Sequence, residues 1–175
     1  MEGQRKPLLY VGLLVVALVA GYLFYYNFLK PSSSEGEIGI QTGNMLLDET
    51  IPNIDGSGSV KFSDYQGNIL VIDFLAPWCD PCKAQIDILT LVDSVEGVEV
   101  MSINIDPNYD MEYLYGFGEE EGITWFFGSS PDTAVNYKVS AIPTIIVVDQ
   151  DGVIAYRGYY TTVNQFDTIL SELVN

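Results

Sequence analysis

Asn68-Ile69-Leu70-Val71-Ile72-Asp73-Phe74-Leu75-Ala76-Pro77-Trp78-Cys79-Asp80-Pro81-Cys82-Lys83 carries the chain from an apolar run into a helix-forming one, and it holds both cysteines of a 175-residue sequence. The run from Asn68 to Leu75 is too uniformly apolar for a half-exposed strand, so it predicts a central strand covered on both faces. Pro81 to Val95 then sets Ile86, Leu89 and Val92, with Ile88 and Leu91 nearby, along one helical side. Two thiols three positions apart at such a junction can be joined to each other or separated by a two-electron exchange. The spacing therefore points to dithiol–disulfide chemistry.

Outward from this stretch, strand and helix periods alternate. Val60 to Phe62 follows an Asp-Gly-Ser-Gly turn, Val98 to Ile105 reads as a second buried strand, and Asp110 to Glu121 as a helix with aromatic residues inward and acids outward. A short strand is expected over Ile123 to Phe127 and a short helix over Pro131 to Lys138. Thr144 to Val148 and Val153 to Arg157 form an antiparallel pair about Asp151-Gly152, and an amphipathic helix closes the chain from Val163 to Val174. The aromatics at 113, 115, 117, 125, 126 and 127 are expected in the core. A β-α-β unit followed by a hairpin and a helix implies an α/β sandwich with a mixed sheet.

Cys79 falls where strand gives way to helix, and there unsatisfied backbone N–H groups and the positive end of the helix dipole favour a thiolate. Pro81 occupies the first turn, where a missing N–H costs nothing. Cys82, one turn in, points to the same side and is shielded. Cys79 is thus the expected nucleophile and Cys82 the resolving thiol. Asp80 between them is negative and opposes ionisation of Cys79, which favours a reducing couple. Asp73 is a carboxylate within an apolar strand; burial raises its pKa and makes it a proton acceptor for Cys82 through a water, unless it sits at an edge or bulge that reaches solvent. Ile142-Pro143-Thr144 begins a strand, a place where proline is tolerated; a cis bond there would bring a backbone N–H and C=O edge up to the disulfide, and sequence alone leaves the isomer open.

The first thirty residues differ from the rest. Leu8 to Leu29 holds 22 consecutive positions without a charge, a helix of about 33 Å, enough to cross a hydrocarbon core of about 30 Å. A cleaved signal peptide is the weaker alternative, because Ala17-Leu18-Val19-Ala20 is a poor cleavage site and the apolar run continues past it to Phe28; a buried core helix is weaker still. Arg5 and Lys6 before the span, against Lys30 after it, place the N-terminus in the cytoplasm and the remainder outside the cell membrane. Residues 1–30 are thus expected as a single-pass anchor, 31–44 as a flexible tether rich in serine and turn formers, and 45–175 as one domain.

The chain carries 24 acidic against 7 basic residues, a net charge of −17. All the acids but Glu2 lie beyond position 30, so nucleic acid and anionic headgroups are excluded as partners. The acid reads as a solvated surface. Histidine is absent, which removes Ser-His and Cys-His catalytic pairs and leaves a lone C-x-x-C as weak support for zinc. The Asp-Gly pairs at 55–56 and 151–152 do not continue into a calcium-loop pattern. No metal and no cofactor is called for.

Val71 to Lys83 resembles the active-site segment of thioredoxins, and Ala141-Ile142-Pro143-Thr144 resembles their cis-proline loop. The leading section, Ile51-Pro52-Asn53 through Phe62-Ser63-Asp64-Tyr65-Gln66-Gly67, and the extra helix and strand after Ile103-Asn104-Ile105-Asp106 are similar to the TlpA/ResA branch of membrane-tethered thioredoxin-like proteins. The resemblance spans residues 45–175 and implies a thioredoxin fold with that branch's N-terminal extension and helix-strand insertion. It also implies Cys79 as nucleophile, Cys82 as resolver and Pro143 as the cis-proline, with Trp78, Pro81, Ile142 and Pro143 receiving the substrate. Members of the branch commonly reduce extracytoplasmic protein disulfides, those of apocytochromes among them, so the implied partners are such proteins and a membrane electron donor facing the same side. The chain departs from the branch at Gln85, where Glu is usual, at Asp87, where Pro is usual, and at Asp73, where Asn is frequent and ordinary thioredoxins have Asp.

The expected function is an extracytoplasmic, membrane-anchored thiol–disulfide oxidoreductase that reduces protein disulfides through Cys79 and Cys82. Two other readings use the same residues. A thiol peroxidase needs Thr three residues before its peroxidatic cysteine, and position 76 is Ala. A client-binding module would use the cis-proline groove without redox turnover.

Overall fold

The computed structural model describes residues 15, 17–22 and 36–174. The chain divides into two units, residues 1–35 and 36–175. In the first, residues 15 and 17–22 are helical and exposed. Among the described residues no helix is long and apolar enough to cross a membrane; the span expected over Leu8–Leu29 lies for the most part outside them.

The second unit is built on a five-stranded mixed sheet in the order β7-β6-β5-β8-β9. Its centre, β5 (Ile69–Leu75), is buried at every position, as the unbroken apolar run requires. Parallel partners on one side are β6 (Val98–Asn104) and then β7 (Phe126–Ser129). On the other side β8 (Thr144–Val148) runs antiparallel to β5 and pairs with β9 (Ile154–Gly158).

Alternation along β5 divides the core into two layers. Ile69 and Val71 pack with Leu89 and Val92 of α1 (Asp80–Asp93) and with Phe166 and Leu170 of α4 (Val163–Leu173). Leu70, Ile72 and Phe74 face the opposite layer, with Phe62 and Tyr137. Each large aliphatic or aromatic side chain so covered contributes about 1.5–3 kcal/mol. The remaining helices, α2 (Met111–Glu121) and α3 (Pro131–Asn136), are both N-capped by a side-chain oxygen, that of Asp110 and that of Ser130.

Ahead of the sheet come β1 (Ile38–Gly39) and β2 (Met45–Leu46), paired in parallel, then the hairpin of β3 (Thr50–Pro52) and β4 (Ser59–Lys61), then a 3-10 turn over Phe62–Tyr65. This leading segment touches both margins of the sheet. Ile54 N–H donates to Phe127 O beside β7, while Gly43 N–H donates to Ile154 O and Ile154 N–H to Asn44 O beside β9. At the β7 margin the approach is so close that a Cβ on Gly128 would lie 2.4 Å from Ile51 Cγ2 and 2.7 Å from Pro52 O. Only glycine fits there.

Two sequence expectations are corrected. The strand expected over Ile123–Phe127 runs over Phe126–Ser129, and Trp125 stands just before it, half-buried. Of the six aromatics expected in the core, Phe117 and Phe127 are buried, Trp125 and Phe126 are half-buried, and Tyr113 and Tyr115 are exposed. The inward face of α2 is set by Leu114, Phe117 and Gly118, an i, i+3, i+4 stripe that leaves 113 and 115 to its flanks.

Candidate active site

The central strand delivers the chain directly into α1, and the cysteines occupy that hinge. Cys79 is the N-cap of α1, and its Sγ accepts the Cys82 backbone N–H at 3.2 Å. The same N–H also donates to the Cys79 carbonyl at 3.0 Å, so negative charge on this sulfur meets a shared N–H and the positive end of the helix dipole. Pro81 sits in the first turn. Cys82 lies one turn in and is fully buried, whereas Cys79 keeps 4% of its surface. The two are joined as a disulfide, so the structure holds the oxidised couple. Taking up two electrons and two protons opens it to a dithiol.

The walls of the site come from four elements. Cys79 and Cys82 pack with Leu75, Ile86 of α1, Leu114 and Phe117 of α2, and Phe127, and Ile142 lies against the same cluster. The Ile142–Pro143 peptide is cis, and the packing of Ile142 brings this loop to the disulfide. Trp78 is 60% exposed, yet its indole Nε1 donates to Asp106 Oδ2 at 2.7 Å. Asp106 Oδ1 accepts from the backbone and side chain of Asn108, and Asn104 fixes this loop by accepting Asp106 N–H and donating to Asp106 O. The Asn108 N–H and the indole hold the Asp106 carboxyl below its ordinary value. Lys83 on α1 pairs with Glu121 on α2 at 3.2 Å. Asp80 is exposed beside the disulfide.

Asp73 is fully buried in the middle of β5, not at an edge or bulge. Burial pushes its carboxyl up to about 7, against a smaller lowering influence from Ser102. Its Oδ2 accepts from Ser102 Oγ at 3.3 Å, and its Oδ1 has no hydrogen-bond partner. A carboxyl poised near neutrality, with one free oxygen, is equipped to exchange a proton. Of the residues singled out from the sequence, Cys79, Cys82 and Ile142 meet in this one cluster; Trp78 and Pro81 adjoin Cys79 and the first turn of α1, Pro143 follows Ile142, and Asp73 lies on β5 two positions before Leu75.

The polar supports around them were missed. Gln85 is fully buried on α1, where it takes both backbone groups of Thr161: Nε2 donates to the carbonyl at 3.1 Å and Oε1 accepts the N–H at 2.7 Å. A glutamine three positions after Cys82, on the side that carries Ile86 and Leu89, was the available signal. An apolar cleft of about 210 Å³ lined by Met45, Leu46, Phe62, Tyr65 and Leu70 lies at the start of β5, the end remote from the sulfurs. Among the described residues no group of acids and cysteines is arranged to hold a metal ion.

Comparison with known proteins agrees with this geometry. The Redoxin family profile matches residues 42–170. The chain is 24% identical to the thiol-disulfide oxidoreductase ResA of Bacillus subtilis, over 87% of this chain and 84% of that protein. It is 25% identical to the thiol:disulfide interchange protein DsbE of Vibrio cholerae, over 88% and 85%. Among solved structures, a DsbF homologue from Corynebacterium diphtheriae superposes with a TM-score of 0.67 at 24% identity, covering 81% of this chain and 96% of that one. The thioredoxin domain of a thiol-disulfide oxidoreductase from Bacteroides vulgatus gives 0.68 at 20% identity, covering 77% and 99%. These structural likenesses are of fold.

Proposed function

This chain belongs to the Redoxin family, with a thioredoxin-like fold, and on that premise we propose that it is a membrane-anchored thiol–disulfide oxidoreductase that reduces disulfides of proteins outside the cell membrane. It is a redox enzyme, and the observation that carries the reading is the Cys79–Cys82 disulfide at the N-terminus of α1, with Cys79 keeping 4% of its surface and Cys82 none.

The reaction starts from the dithiol. The Cys79 thiolate, stabilised by the Cys82 N–H, attacks a client disulfide; one client sulfur leaves as a thiolate and takes up a proton, and a mixed disulfide remains. Asp73 then accepts the Cys82 proton, through a water. The Cys82 thiolate attacks Cys79 Sγ, the bond between Cys79 and the client breaks, and the second client sulfur departs and is protonated. The client has gained two electrons and two protons, and the enzyme is left with the disulfide seen here. A membrane donor on the same side restores the dithiol. Trp78, Pro81, Ile142 and Pro143 form the surface that receives the client.

Residues 1–30 supply the anchor in this reading, and the tether expected over 31–44 is shorter than that, because Ile38–Gly39 pairs with Met45–Leu46 and Gly43 and Asn44 bond to Ile154, which puts residues 36–44 in the folded unit with the catalytic domain. The apolar length of Leu8–Leu29 and the Arg5 and Lys6 flank support the anchor. The test uses the full chain, reduced and mixed with a disulfide-bonded test protein. Wild type should turn over, and Cys82→Ser should stop at a mixed disulfide on Cys79. Inert sulfurs across a wide range of glutathione ratios, or unchanged client handling by Cys82→Ser, would remove the proposal.

A further inference from the structure

Asp73 and Ser102 are directly opposed in the β5–β6 register, and both are fully buried. Ser102 has a second neighbour: Trp125 Nε1 donates to its Oγ at 2.9 Å. An indole can only donate, so the serine oxygen must accept from it, and a serine hydroxyl has one proton. That proton is therefore free to be directed to Asp73 Oδ2, at 3.3 Å. The polarity of the three-member chain is fixed by the chemistry of its far end.

The consequence falls on the two oxygens of Asp73. Oδ2 is occupied as an acceptor, and Oδ1 has no partner. Asp73 shares its strand face with Leu75, whose cluster contains Cys79 and Cys82. Trp125 packs against that cluster and against the one containing Val71, which holds the indole in place from both sides. We propose that Trp125, acting through Ser102, is a positioning residue for the dithiol reaction: the pair reserves Oδ2 as an acceptor and leaves Oδ1 as the oxygen that takes and returns the Cys82 proton. This rests on the oxidoreductase reading above and names residues that the reading does not require.

The ionisable groups on the packed side are few. The cysteines of α1 face the cluster beside Asp73, and Tyr156 of β9 packs against the Val71 side with its hydroxyl against Thr161. Asp80 and Asp87 on α1, Glu99 on β6 and Asp167 and Glu172 on α4 are exposed, Asp93 is half-buried at the far end of α1, Lys83 is paired with Glu121, and Arg157 on β9 donates to the carbonyls of Ile40 and Tyr137. β8 has none. Burial and the Ser102 hydroxyl, acting in opposite directions, set the proton affinity of Asp73.

The experiment follows the Asp73 carboxyl by carbon NMR in the full-length oxidised protein across pH, alongside the pH dependence of mixed-disulfide resolution in the reduced enzyme. Asp73→Asn identifies the signal by deleting it. Ser102→Ala should move both inflections up by about one pH unit, since a hydrogen bond to the charged form is lost. Trp125→Phe, which keeps a ring and removes the N–H, should move them up by less. Ser102→Thr should return them to the wild-type position. A purely structural role would lower the melting temperature and leave the inflections in place, and that result in folded Ser102→Ala and Trp125→Phe overturns the proposal. Failure of Ser102→Thr to restore the profile overturns it too. If these shifts fail while wild type still turns over protein disulfides, only the positioning role falls. If wild type shows no turnover at any pH, the functional reading falls and takes this role with it.

Discussion

Gln85 and Thr161, 76 residues apart in sequence, meet amide to amide, so that one buried side chain satisfies both the N–H and the C=O of one backbone position. The pair ties the second turn of the cysteine-bearing helix to the loop that leads into α4. Gln85→Ala strips partners from two buried backbone groups, each worth about 1–3 kcal/mol when left unmade. The expected loss of stability is about 2–4 kcal/mol by denaturant unfolding. Gln85→Glu tests the polarity: its carboxylate would oppose the Thr161 carbonyl, so its folded-state pKa rises. Stability in that variant should be present at low pH and lost as pH climbs through the raised value, whereas Gln85→Ala is weakened at every pH.

Asp73 makes stability depend on pH in a definite direction. Burial lifts its carboxyl from 3.8 to about 7, so between those values the folded protein holds a proton that the unfolded chain has lost. The group's contribution is fully present below about pH 4 and is lost as pH rises to about 7, a fall of roughly 4 kcal/mol. In the oxidised protein, Asp73→Asn should flatten this slope. The variant should be the more stable form at pH 8 and show no advantage at pH 4, read from urea midpoints across the range.

Trp78 offers the site an exposed ring held by one hydrogen bond to Asp106. Removing it opens no core cavity, so Trp78→Ala should change stability by less than about 1 kcal/mol. The expected cost is to client capture: kcat/KM for a protein disulfide should drop about tenfold, the scale of losing one aromatic contact, while reduction of a small disulfide hardly changes. Equal loss on both substrates would count against a client-contact role.

Gly128→Ala places a methyl within 2.7 Å of the Pro52 carbonyl, an atom that cannot swing aside. The β3–β4 hairpin must shift from the margin of β7, and the expected destabilisation is about 2–4 kcal/mol by thermal or denaturant unfolding. Because Gly128 lies outside the cysteine cluster, turnover by the folded fraction should persist.

The central strand, the helix after it and the position of both cysteines were legible because each depends on a local pattern: an unbroken apolar run, a 3.6-residue stripe, a proline in a first turn. The burial of Asp73 could be read in the same way, as the one charged residue in that run. Its partners could not. Ser102 and Trp125 lie 29 and 52 positions away, and only the β5–β6 register and the placement of the chain before β7 bring them together. The aromatic helix shows the limit from the other side. Its tyrosines and phenylalanine all look apolar, but 3.6-residue geometry admits only Leu114, Phe117 and Gly118 to the interior and turns Tyr113 and Tyr115 out.

Hydrogen bonds from the leading segment at β7 and β9 have a consequence for the proposed action on other polypeptides. Partly unfolded chains expose unpaired backbone and anneal to any open strand. With residues 43–44 and 54 lying along its two outer strands, this sheet has less backbone to offer such a chain. Clients can then engage through sulfur and side chains and depart once reduced, rather than remaining as an added strand.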